Sequence, residues 1–179
     1  MIIAMGMPGA GKSTVLGGIK NYRKVNYGDL MFEIARKRYG IKNRDGMRKM
    51  STERQTAVQL EVGRKLSREK GRLLLDTHCS VRTQKGYLPG LPFSILKKMK
   101  VEGFVYISAP ADDIMRRRKK DKSRRRDEEE REEIEEHDGV NRAFLAVYSA
   151  FTGAPSSIVL NGDGMLEDAV AKMKRVLGE

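Results

Sequence analysis

Met1-Ile2-Ile3-Ala4-Met5 is an unbroken apolar run that stops at Gly6, long enough for a buried strand and too short for a helix. Arg72-Leu73-Leu74-Leu75-Asp76 is apolar at successive positions too, the pattern of a strand covered on both faces within a parallel sheet. Gly103-Phe104-Val105-Tyr106-Ile107-Ser108 and Ser157-Ile158-Val159-Leu160-Asn161 predict two more strands, and Lys24-Val25-Asn26-Tyr27, broken by Gly28, a short fifth. Between these runs the period lengthens to that of a helix. Residues 14 to 19 carry an apolar set at roughly helical spacing, as does the stretch holding Leu30, Ile34 and Ala35, for which Asp29 is a natural cap. Thr52-Glu53-Arg54-Gln55 has capping-box form, and Val58, Val62 and Leu66 recur four apart, so a helix is expected to run to Lys70 and end at Gly71. Pro110 suits a first turn ahead of a helix over 111 to 120, and 138 to 151 and 165 to 177 supply the last two. Residues 41 to 50 are short and polar, and 77 to 92 lack periodicity and read as a long loop. Strands alternating with helices predict an α/β domain around a parallel sheet, with no internal repeat and no disordered linker.

The chemistry gathers at the first junction. Gly6-Met7-Pro8-Gly9-Ala10-Gly11-Lys12-Ser13-Thr14 fits G-x-x-x-x-G-K-[ST] at every required position, between an apolar strand and a helical stretch. Glycines let the backbone turn its N–H groups inward around a polyphosphate. Lys12 is then the cation for the β- and γ-phosphates of a bound polyphosphate, Ser13 a ligand for Mg²⁺, and the helix start adds its positive dipole end. Asp76, ending a central strand, has the place of the second metal-holding carboxylate; its other reading is a turn or cap. Asp29 ends a strand in the same way, so it either caps the next helix or orients an acceptor nucleotide. The 77 to 92 loop leaves the carboxyl end of a strand, where such sheets bind ligands, and carries Arg82. His78 reads as a neutral loop histidine.

Length and composition narrow the class. A chain of 179 residues suits one domain, and no apolar run approaches the ~20 residues of a membrane span. The apolar N-terminus is too short for a signal peptide, and a lone cysteine, Cys79, forms no internal disulfide, so a reducing cytoplasm is expected. Two histidines and one cysteine argue against structural zinc. The net charge of +12 stands out. Residues 116 to 126 hold nine cations and one acid, and 127 to 136 hold eight acids and one arginine, so these blocks nearly cancel. Residues 1 to 115 carry 22 cations against 10 acids, the whole excess. Three readings fit: a polyanionic small substrate, RNA, or ion-pair networks suited to high temperature. Few aromatics, 6%, speak against a base-stacking RNA surface.

So dense an arginine block repels itself unless neutralised, and the acidic run follows at once. Most of these side chains fit a solvated face, Arg118 among them. Two or three suit a transferring phosphoryl group, which guanidinium forks bind bidentately.

Together with the P-loop, the segments Asn26-Tyr27-Gly28-Asp29, Arg44-Asp45-Gly46-Met47-Arg48-Lys49, Asp76-Thr77-His78 and Gly86-Tyr87-Leu88-Pro89-Gly90-Leu91-Pro92 make the chain resemble the archaeal-type adenylate kinases over nearly its whole length. Lys120-Asp121-Lys122-Ser123-Arg124-Arg125-Arg126-Asp127 and Asn141-Arg142-Ala143 belong to the same pattern. The resemblance implies a five-stranded parallel sheet with helices on both faces, in a single P-loop nucleoside monophosphate kinase domain over 1–179. Within it, 28–70 would be the AMP-binding helical region and 116–136 a short lid. It further implies Mg-dependent, reversible transfer between ATP and AMP giving two ADP, a homotrimer, no membrane partner and no specific nucleic acid. Arg117, Arg124, Arg126 and Arg142 would close over the transferring group with Lys12; Asp29, Arg48 and Arg82 would serve AMP; Ser13 and Asp76 would hold the metal. Bacterial and eukaryotic adenylate kinases have an arginine three residues after the Gly-Asp pair, where this chain has Phe32, which is why Arg48 and Arg82 are the candidates for the AMP phosphate. The alternatives are a kinase for another nucleoside monophosphate and an RNA-associated P-loop ATPase.

Overall fold

The computed structural model describes residues 1–120 and 130–179, and of Arg48 the backbone alone. Five parallel strands form the sheet: β1 (Ile2–Gly6), β2 (Arg23–Asn26), β3 (Leu73–Asp76), then, beyond a separate hairpin, the strands Gly103–Ser108 and Ser156–Leu160. The hairpin strands are β4 (Ser80–Thr83) and β5 (Gly86–Pro89), so the last two sheet strands are β6 and β7, and the sheet order is β2-β3-β1-β6-β7. The helices in chain order are α1 (Lys12–Gly17), α2 (Tyr27–Tyr39), α3 (Arg44–Arg48), α4 (Thr52–Ser67), α5 (Phe93–Leu96), α6 (Ala111–Lys120), α7 (Arg131–Thr152) and α8 (Leu166–Val176).

Strand periodicity divides the core in two. Ile3, Met5, Leu73, Leu75, Phe104 and Tyr106 point to one face, where α2, α4 and α7 supply Ile34, Val58, Val62, Leu66 and Tyr148. Ile2, Ala4, Leu74, Val105, Ile107 and Val159 point to the other, against Val15, Leu16 and Ile19 from α1 and its end and Ala169 and Met173 from α8. Successive side chains of a strand alternate between faces, so a run apolar at every position has both faces covered. At the P-loop end, a Cβ on Gly6 would lie 2.5 Å from the Ile107 carbonyl oxygen, so glycine is what lets β1 pair with β6 there.

Several boundaries differ from the local signals. Tyr27 is the first residue of α2 rather than the last of β2, and its N-cap is Asn26, whose side chain accepts from the Asp29 N–H; Asp29 is not the cap. Ser51 caps α4, one residue before the Thr52 box, and α4 ends at Ser67 rather than Lys70. The expected loop of 77 to 92 folds into the β4–β5 hairpin, with Gly86 at φ 111°. Each of its strands has only four residues and no clean alternation, which hides the hairpin from periodicity. α7 begins at Arg131, seven residues earlier than expected, because Glu130 and Glu133 form a reciprocal capping box ahead of a polar first stretch.

Candidate active site

The loop after β1 takes the backbone its glycines permit. Gly9 and Gly11 are left-handed, at φ 94° and 77°, and the Ala10 N–H donates to the Met7 carbonyl at 3.2 Å. The loop is held from behind: Arg118 Nε donates to the Pro8 carbonyl at 3.0 Å, Arg117 Nη1 to that of Gly9 at 3.5 Å, and Asn161 Nδ2 to that of Ala10 at 2.9 Å. With successive carbonyls engaged on one side, the loop can present N–H groups on the other. Asn161 is itself fixed by its N–H on the Ser108 carbonyl, at 2.8 Å. Arg118 therefore does not lie on the solvated face expected for it. A helix places neighbours about 100° apart, but two long side chains on α6 still converge on one loop.

Lys12 crosses to the end of β3, where its ammonium contacts the Asp76 carboxylate and donates to the Thr77 carbonyl at 3.1 Å. Both side chains are mostly covered, 12% and 15% exposed. Burial pushes the Lys12 amine down to about 8, while contact with a carboxylate favours its charged form. The second Asp76 oxygen accepts from Asn26 Nδ2 at 2.9 Å. Parallel pairing of β2 with β3 sets Asn26 opposite Asp76, so the two side chains share one face at the carboxyl edge. Asn26 thus joins the site without having been singled out as a ligand-binding residue; its place just before Tyr27-Gly28-Asp29 was the available signal. Asp29 pairs with Arg44 at the start of α3.

Asp76 and the exposed Ser13 hydroxyl are hard oxygen donors of the kind that suit Mg²⁺ shared with substrate phosphates. Among the described residues no group of three or more His, Cys, Asp or Glu could hold a metal ion by itself.

Arg117 also bonds Asp163, Nε to Oδ1 at 3.0 Å, and donates to the Asn161 carbonyl at 3.0 Å, so α6 is tied to the loop after β7. Arg142 on α7 bonds Asp138 at 2.6 Å and Ser108 Oγ at 3.1 Å at the carboxyl end of β6. Tyr106 also donates to Asp138, at 2.8 Å. A cavity of about 260 Å³ opens beside Arg142, between Pro110, Ile134 and Leu160. A larger hollow, about 900 Å³, lies between α2 and α4 and is lined by charged residues such as Lys37 and Glu61; it includes no P-loop residue. Arg82 bonds Glu133 of α7 at 2.6 Å. Arg124 and Arg126 lie outside the described residues, as does the Arg48 side chain. The buried histidine is His137, within 3.0 Å of Ser80 Oγ, whereas His78 is exposed.

A family model described as "AAA domain" matches residues 5–135. The chain is 42% identical over 178 residues to an adenylate kinase of Methanopyrus kandleri, covering 95% of this chain and 93% of that one. It is 40% identical over 181 residues to an adenylate kinase of Thermoplasma acidophilum, covering 98% and 97%. Among solved structures, a sugar kinase from Janibacter sp. aligns at TM-score 0.56 and 15% identity, over 99% of this chain and 93% of that one. The shikimate kinase of Bacteroides thetaiotaomicron aligns at TM-score 0.52 and 17% identity, over 99% and 98%. At such identities these structures speak to the shared fold.

Proposed function

The chain belongs to the adenylate kinase family, and from that premise we propose how its residues divide the transfer of a phosphoryl group between ATP and AMP. The reaction is ATP + AMP = 2 ADP, run in either direction. Its attacking atom, an oxygen of the AMP phosphate, is already anionic, so no general base is needed and the protein's task is positioning and charge neutralisation.

The reading rests on one observation above all: Lys12 of the P-loop, Asp76 and Asn26 form a continuous chain of contacts from the donor loop to the first turn of α2. Donor ATP lies in Gly6–Thr14, residues 6 to 14, with Lys12 exchanging Asp76 for the β- and γ-phosphates. Mg²⁺ bound with ATP, by Ser13 and Asp76, would neutralise part of the triphosphate charge. The 28–70 region takes AMP, with Asp29, Arg48 and Arg82 as its polar residues. The 116–136 segment is the lid; Arg117, Arg124, Arg126 and Arg142 bring cations to the transferring group and exclude water that would otherwise hydrolyse ATP.

A homotrimer is the assembly proposed for this chain, and apolar residues left exposed on the hairpin, Val81 at 46% and Leu88 at 58%, support a surface that meets another copy. A cytoplasmic site of action and the lack of a specific nucleic-acid partner complete the reading. No helix among the described residues is long and apolar enough to cross a membrane. The deciding experiment is ADP formation from MgATP with AMP, CMP, UMP and GMP in turn. AMP is expected to be the preferred acceptor, and equal rates with all four would overturn its specificity.

A further inference from the structure

We infer that Arg44 supplies a phosphate-binding cation of the acceptor site and that Asp29 holds it in place. This rests on the adenylate kinase reading above and extends it to a residue not assigned there. Arg44 opens α3, yet its side chain turns back across the first turn of α2. One terminal nitrogen contacts the Asp29 carboxylate. The other, Nη1, would lie 3.4 Å from a Cβ placed on Gly28, and that same Cβ would be 3.2 Å from Asn26 Oδ1. Because Gly28 has no such atom, the space between the guanidinium and Asn26 stays open.

The place is one where an acceptor phosphate belongs. From Arg44 the contacts run to Asp29, whose N–H donates to Asn26 Oδ1 at 3.0 Å, then from Asn26 Nδ2 to Asp76 and from Asp76 to Lys12. That path follows the carboxyl ends of β2 and β3, where a parallel sheet binds its ligands. A phosphate seated over it has the P-loop cation on one side and Arg44 on the other. Among the described residues Asp29 is the one hydrogen-bond partner of Arg44, so most of its five donors remain available. The side chain is 46% exposed, which leaves an edge of the planar fork open to approach. Such a fork takes two phosphate oxygens at once. Asp29 engages a single terminal nitrogen, so it fixes the guanidinium without consuming that edge. It acts as a positioning residue, and its charge is balanced by Arg44.

The test is a KM split. In Arg44→Ala the KM for AMP should rise about tenfold or more while the KM for ATP stays within about twofold, the mark of a lost contact to one substrate only. Arg44→Lys, which keeps the charge and loses the fork, should fall between wild type and Arg44→Ala, and it carries the test if the alanine variant does not fold. Asp29→Ala should also raise the KM for AMP, and the double variant should be no worse than Arg44→Ala alone, because Asp29 acts through Arg44. An unchanged KM for AMP in folded Arg44→Ala, or equal rises for both nucleotides, overturns the inference. Additive effects overturn the role given to Asp29. Failure of the wild-type protein to make ADP from ATP and AMP would instead strike the reading beneath.

Discussion

Asn26 Nδ2 donates to one oxygen of Asp76 at 2.9 Å while the Lys12 ammonium contacts the other, so a single carboxylate spans the end of β2 and the P-loop. The same Asn26 caps α2 through its Oδ1, at 3.0 Å from the Asp29 N–H. One side chain therefore has a structural role and a role at the site, and different substitutions separate them.

Asn26→Ala should cost about 1 kcal/mol of stability from the lost cap and should also lower kcat. Asn26→Ser restores a capping oxygen but no amide donor, so it should recover the unfolding temperature and not the rate. Thermal unfolding and ADP formation measured on both variants decide the matter. If serine rescued kcat as well, the bond to Asp76 would have no catalytic weight.

Lys12→Met should leave the fold in place and lower kcat by at least ~10²-fold, the scale of a single charge-stabilising group. It removes an amine that burial penalises but also leaves the mostly covered Asp76 without its cation, so a moderate fall in unfolding temperature is expected and kcat is read on protein shown to be folded. Near-normal turnover in the folded variant would contradict the donor role of the P-loop.

The arginine block separates by geometry and by charge. Arg124→Lys and Arg126→Lys should each lower kcat with little change in stability, because the charge remains and the bidentate fork is lost. Arg118 is not a silent position, since it supports the Pro8 carbonyl at 3.0 Å. Arg118→Ala should raise the KM for ATP by loosening the loop. Lys119, exposed on α6, is the proper control, and Lys119→Gln should be silent in both measurements. Equal kcat losses at Lys119 and Arg126 would mean that the block acts through its general field.

Cys79 tests the packing under the hairpin. Burial pushes its thiol up from an ordinary 9.0 to about 12, and its Sγ lies 3.1 Å from the Asn141 carbonyl. The folded protein keeps a proton that the unfolded chain loses above pH 9, so this group makes stability fall as pH rises from 9 toward 12. At pH 8 the native thiol should resist iodoacetamide, with thiolate on the order of one part in 10⁴, and label quickly in denaturant. Rapid labelling under native conditions would show that β4–β5 opens locally.

The sequence by itself determined whatever depends on neighbours along the chain. The strand, glycine loop and helix of residues 1 to 19 were legible because hydrophobic period, backbone freedom and phosphate chemistry are all local there. The central strands β1, β3 and β6 were legible because runs such as Leu73-Leu74-Leu75 bury both faces, whereas the edge strands β2 and β7 carry only short apolar runs bounded by polar residues. The tertiary structure decided what depends on register and on the rotation of one element against another. Lys12 and Asp76 are 64 residues apart and meet because β3 lies next to β1. Asn26 meets Asp76 because β2 pairs with β3 without a one-residue slip, which would have turned its side chain to the opposite face. The same limit explains the errors. Charge pattern does not say which side of α6 faces Pro8, so by itself it puts Arg118 on the solvated face, and no local signal says that Arg44 turns back over α2 to reach Asp29.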